Sequence, residues 1–143
     1  MGKGIYCLVL SGGGSSIRIG AIGEQFFPQG YYVYAGSALG PGGLQARVGR
    51  HIQTAKFPGS KTHWHIDHLL HHPSFRLVAV FCAETADPLE CRLARGIGGD
   101  GMIRFGCSDC GCASHLFFFP RYPGPEICRA LRNIGLAWTE RTL

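Results

Sequence analysis

The chain has 143 residues, 45% of them apolar and 16% charged, which suits one folded domain with its own core and excludes a disordered chain. Its 22 glycines and 8 prolines point to short elements joined by many turns, favouring an α/β or α+β domain over a helical bundle. Lys and Arg exceed Asp and Glu by 14 to 9, a net charge of +5 that mildly favours polyanionic partners.

GIYCLVL at 4–10 is a short apolar run stopped by SGGG, the pattern of a buried strand and turn. SIRIGAIG adds a short extra strand, and YYVYAGSA at 31–38 supplies a strand that pairs with the first before a turn at GPGG. From Gly43 the period changes. Leu44, Val48, Ile52 and Ala55 recur at helical spacing, so GLQARVGRHIQTAK reads as an amphipathic helix with Arg47 and His51 on one side. KTHWHIDHLLHHP, residues 61–73, follows with five of the seven histidines and an interleaved Trp64, Ile66, Leu69 and Leu70, the makings of a short helix. FRLVAVFC at 75–82 is a strand. At Asp87-Pro88-Leu89-Glu90 a second helix is expected to start, with Asp87 as cap and Glu90 three residues later, running to about Ile97 and ending in glycines. HLFFFP at 115–120 reads as a strand and PEICRALRNIG at 125–135 as a helix.

Seven cysteines without a signal peptide suggest no disulfide framework, and the apolar start is too short to span a bilayer. These features predict a cytoplasmic protein with reduced thiols and no membrane partner.

Three motifs have competing readings. His63, His65, Asp67 and His68 spell HxHxDH, the spacing of two-zinc hydrolases, whose imidazoles and carboxylate suit two zinc ions bridged by water. In that class the motif follows a buried strand inside a longer sandwich. Here it follows the polar PGSKT, and only His51 and His115 lie outside the cluster, so a partly exposed helix or loop is favoured. GIGGDG at 96–101 matches GxGxxG but ends a predicted helix instead of opening one, and is read as turn glycine. Cys107, Cys110, Cys112 and His115 could hold a structural zinc, but four ligands within nine residues are crowded, and buried thiols in a turn are favoured.

What remains is Gly4-Ile5-Tyr6, then Tyr34-Ala35-Gly36, then Arg47 and His51 four apart, then a helix-borne Glu90 in LECRLARGI. This set resembles the GIY-YIG nuclease superfamily. YVYAGSALGPGGLQARVGRH, KTHWHIDHLL and SDCGCASHLF look more like one small branch of it, long labelled a domain of unknown function, whose members occur alone or fused to DNA-repair enzymes. The likeness covers roughly residues 4–119. It implies a single α+β domain over 1–143, a small mostly antiparallel sheet flanked by helices, with a His-rich insertion at about 57–73.

The resemblance also implies a chemistry, metal-dependent cleavage of nucleic acid, expected to be DNA and in the service of repair. Glu90 would hold Mg²⁺ or Mn²⁺, Tyr6 would accept or relay the proton of the attacking water, and Tyr34 would orient that water. Arg47 would stabilise phosphate charge, and His51 would position Tyr6 or act as an acid. Arg47, Arg50 and His65 are the expected nucleic-acid contacts, and Glu84 is the second-choice carboxylate. Two departures stand out. Ala35 replaces the usual Ile, and GGDGMIRFGCSDC occupies the place of the superfamily's Pro-x-x-Asn segment, the only asparagine being Asn133. A non-catalytic nucleic-acid binding module would tolerate that loss and is the alternative, with the zinc hydrolase behind it.

Overall fold

A computed structural model of the chain describes residues 2–102, 105 and 114–143. The elements are β1 (Gly4–Gly12), β2 (Ser15–Ile19), β3 (Gly23–Phe27), β4 (Gly30–Ala38), α1 (Gly43–Lys56), α2 (His65–Leu70), β5 (Phe75–Glu84), α3 (Glu90–Ile97), β6 (Asp100–Gly101), β7 (Leu116–Phe119), α4 (Gly124–Asn133) and β8 (Thr139–Thr142). Six strands form one sheet in the order β6-β7-β4-β1-β5-β8, every neighbouring pair antiparallel. β2 and β3 form a separate two-stranded ribbon in the connection between β1 and β4. The α+β class with helices flanking an antiparallel sheet is as expected.

β1 shows why the sequence begins with an unbroken apolar run. It lies between β4 and β5 and is covered on both faces. Tyr6, Leu8 and Leu10 join the cluster that contains Leu44 and Val48 of α1 and Ile66, Leu69 and Leu70 of α2. Ile5, Cys7 and Val9 join the opposite cluster, with Leu93, Ala94 and Ile97 of α3 and Ile127, Ala130 and Leu131 of α4. A strand buried on both sides has no polar face, so period-two alternation disappears.

α1 occupies the predicted span, its Leu44–Val48 stripe buried and Ile52 and Ala55 packed at its margin. α3 starts differently from expectation. Its N-cap is Leu89, with no side-chain capping bond, and Asp87 instead turns the preceding chain by accepting the Leu89 N–H at its carbonyl. Glu90 is therefore the first helical residue and no capping-box partner. GIGGDG ends α3, with Gly98 at φ 82° as the turn glycine expected there. β8 was not foreseen: its residues are all exposed and polar, and it adds to the sheet edge by backbone pairing with Ala79–Cys82. No helix among the described residues is long and apolar enough to cross a membrane.

Candidate active site

Tyr6 and Tyr34 come together because β1 and β4 are paired with Tyr6 opposite Gly36 and Leu8 opposite Tyr34, placing both rings on the face under α1. Gly36 has a steric reason. A Cβ there would sit 2.5 Å from both Cζ and Oη of Tyr6, which is buried and has no room to retreat. The glycine of Tyr34-Ala35-Gly36 is thus the space in which the Tyr6 phenol lies.

α1 brings the cationic groups. Leu44, Val48 and His51 fall on its sheet-facing stripe, so His51 is carried into the core at 1% exposure. Its Nε2 lies 2.8 Å from the Tyr6 hydroxyl, and its ring contacts those of Tyr6, Tyr34 and Trp64. Arg47 sits one turn earlier, donates from Nη1 to the Ser37 carbonyl at 2.9 Å, and acts electrostatically on Tyr6.

Burial decides the protonation states. The Tyr6 phenol is pushed far above its ordinary value by burial and by Tyr34, against the opposing pull of Arg47, so it keeps its proton at neutral pH. His51 is lowered to about 4, first by burial and then by the charges of Arg50 and Arg47, with Asp67 acting the other way. A neutral imidazole facing a protonated phenol can accept that phenol's proton. In this resting state it has no imidazolium proton to give, so of the roles considered for it the contact to Tyr6 is the one its neutral form suits. His51 Nδ1 is buried without a hydrogen-bond partner among the described residues.

This lowered value predicts how stability depends on pH. The unfolded histidine protonates near 6.5 and the folded one near 4, so between those values the unfolded state holds more protons and stability falls with acidification. The loss should approach about 1.4 kcal/mol per pH unit and reach about 3 kcal/mol in all. Urea unfolding of wild type and His51→Gln from pH 7 to 4 checks it: the gap between the two should narrow or reverse as pH falls.

Glu90, at the first residue of α3, is half-buried and its charge is felt at both Tyr6 and His115. Among the described residues the ion pair is Arg50 with Asp67, which leaves the Glu90 carboxylate uncommitted to a cation. A free, half-exposed carboxylate beside a helix N-terminus fits one hard divalent ion that keeps much of its water. Glu84 is the exposed last residue of β5. His115, buried before β7, lies with Nε2 3.7 Å from the Cys91 sulfur, and its pKa is lowered by burial against the pull of Glu90. Cys91 is disulfide-bonded, a departure from reduced thiols throughout, whereas Cys7, Cys82 and Cys128 are free. Cys107, Cys110 and Cys112 lie outside the described residues, and with them the zinc expectation.

The His-rich segment does something other than its spacing suggests. Asp67 is fully buried, and its oxygens receive Arg50 Nη1 and Nη2, each at 3.2 Å, and the backbone N–H groups of His63 and Trp64 at 2.7 and 3.0 Å. These bonds hold its carboxyl below the usual range although burial pushes it up. Asp67 is therefore committed within the fold, and the two-zinc arrangement lacks its carboxylate. Arg50, expected as a nucleic-acid contact, is its partner and stays 34% exposed. His65 stands partly buried against Phe105, its pKa lowered by burial and by His68. Trp64, read from the sequence only as an apolar residue among the histidines, is central: Arg47 and Arg50 lie over its ring at 4.7 and 4.3 Å. Its one sequence signal was a tryptophan one position before a helix in a polar insertion.

No curated protein and no solved structure matches the chain significantly. The family described as a domain of unknown function, DUF123, matches residues 5–136, a span holding Tyr6, Tyr34, Arg47, His51, Glu90 and the His-rich segment, and the chain belongs to that family.

Proposed function

We propose that this chain is an endonuclease of the GIY-YIG type, dependent on a divalent metal and acting on DNA, with repair as its setting. The observation that carries the reading is the 2.8 Å contact between the Tyr6 hydroxyl and His51 Nε2, with the Tyr34 ring against His51 and the Arg47 charge acting on Tyr6. Such a pair suits a proton relay. The attacking water gives its proton to the Tyr6 oxygen as Tyr6 passes its own to His51, and no free phenolate is needed in the apolar interior. Arg47 and Arg50 hold the imidazole's basicity down, and a phosphate placed against Arg47 offsets that charge, raising the basicity when substrate is bound. Tyr34 orients the water, and the planar fork of Arg47 meets two phosphate oxygens. Mg²⁺ or Mn²⁺ held at Glu90 would add positive charge against the scissile phosphate.

The test is a cleavage panel in Mg²⁺ and Mn²⁺ over single-stranded, duplex, nicked, flap and branched DNA. Metal-dependent cutting of at least one substrate is expected. Tight binding without cutting in either metal would replace this reading by the non-catalytic binding module, which needs no substitute for the Pro-x-x-Asn segment.

Arg47 carries a prediction of its own. If it contacts one phosphate, Arg47→Ala should flatten the dependence of log affinity on log salt by about 0.9 for duplex DNA. Anisotropy titrations from low to moderate salt measure this, and an unchanged slope would remove Arg47 from the interface.

A further inference from the structure

The side chains the proposed reaction needs from α1 are held by a residue that is not on α1. Trp64 is the N-cap residue of α2, at the end of the polar stretch that follows α1. Its indole has Arg47 at 4.7 Å and Arg50 at 4.3 Å over the ring, and His51 at 5.5 Å between centroids. The main chain that carries the indole is anchored: the Trp64 backbone N–H donates to Asp67 at 3.0 Å, and Asp67 is tied to Arg50 through two parallel bonds. The chain of contacts is closed, running from α1 through Arg50 to Asp67, on to Trp64, and back to Arg47 and His51.

An arginine has many rotamers, and holding one costs conformational entropy unless its surroundings select it. A tryptophan face does so through cation–π attraction of about 0.5–2 kcal/mol, and it leaves the in-plane N–H groups available for hydrogen bonds, of which Arg50 gives two to Asp67 and Arg47 gives one to the Ser37 carbonyl. Both arginines also line a recess of about 120 Å³ with Ala38, Gly40, Pro41, Gly43 and Ala46, so the held groups still reach solvent.

We propose that Trp64 is the positioning residue of this site: its indole, carried on a backbone held by Asp67, orients Arg47 for a substrate phosphate. The inference rests on the phosphate role given to Arg47 above. It assigns the His-rich insertion a task, arranging the cationic groups of α1, that needs no metal on its histidines.

A binding cycle in EDTA tests it without requiring cleavage, so its failure and that of the nuclease reading are separable. Duplex DNA is titrated with wild type, Trp64→Leu, Arg47→Ala and the double variant across a salt series. Leu keeps an apolar filling and removes the π face, while Trp64→Phe restores a smaller one. Trp64→Leu should weaken binding about 5- to 20-fold and flatten the salt slope by about one contact. In the Arg47→Ala background it should change affinity less than about twofold, and Trp64→Phe should recover most of the loss. An equal penalty with and without Arg47 would overturn the proposal, showing that the indole meets the nucleic acid directly or serves only the fold. So would an unchanged slope, or a wild type that binds no duplex. Binding that follows the predicted cycle in a protein that cuts nothing would keep this inference and sink the nuclease.

Discussion

Glu90→Gln and Tyr6→Phe should each leave a folded, DNA-binding protein whose cleavage rate has fallen by about 10² to 10⁴, the usual cost of losing a positioned proton-transfer group or its electrostatic partner. Glu90 invites this test because its structural alternative is gone. α3 is capped at Leu89 with no side-chain bond, so Glu90 has no capping-box duty for Gln to disturb. Gln keeps the length and the acceptor oxygen and removes only the charge that a hard cation needs. Tyr6→Phe keeps the ring that fills the space beside Gly36 and deletes the hydroxyl that meets His51. It also strands His51 Nε2 in a buried site where Nδ1 already lacks a partner among the described residues, a cost of about 1–3 kcal/mol. Rates are therefore to be compared at saturating substrate, well below the melting temperature of each variant. If wild type cuts and both variants cut as fast, the activity belongs to a contaminant or the site lies elsewhere.

The largest effect on stability is expected at the Arg50–Asp67 pair. Asp67 is fully buried while the Arg50 side chain is 34% exposed, so removing the arginine leaves a carboxylate with two backbone N–H groups and no cation. Breaking a buried pair from one side typically costs about 3–5 kcal/mol, and the remaining N–H bonds place this case near the lower end. Asp67→Asn keeps shape and acceptor oxygen but removes the buried charge. Arg50→Ala should then cost much less in the Asp67→Asn background than in wild type. A denaturant cycle over the four proteins measures the coupling. Equal costs in both backgrounds would mean that Arg50 contributes through its packing on Trp64 and not through its charge.

Much of the layout was legible because it depends on residues close in sequence. The helix expected over 43–56 is observed as Gly43–Lys56, since a stripe at Leu44, Val48 and Ile52 defines its face, Gly42 caps its start and Pro58 follows its Phe57 C-cap. β1, β4, β5 and β7 were likewise set by apolar runs bounded by turn residues. The set Tyr6, Tyr34, Arg47, His51 was legible as a candidate site only through its resemblance to the GIY-YIG superfamily; helix period by itself put Arg47 and His51 on one side of α1, and the pairing of β1 with β4 brought the two tyrosines together.

Where local pattern ran out, partners distant in sequence decided. β8 has no apolar period to announce it and exists because the edge of β5 offers unpaired backbone groups. Asp67 looked like a metal ligand because spacing is blind to what a carboxylate already binds, and only the packing of α2 on α1 brings Arg50, 17 residues earlier, to its oxygens. The charge state of His51 was likewise beyond the sequence: a histidine four residues after an arginine is solvated or buried according to what lies above the helix. The sequence by itself determined which side chains were available and on which elements. The tertiary structure alone decided which of them are desolvated and by whom each is held, because both depend on surfaces that exist only after the layers have closed.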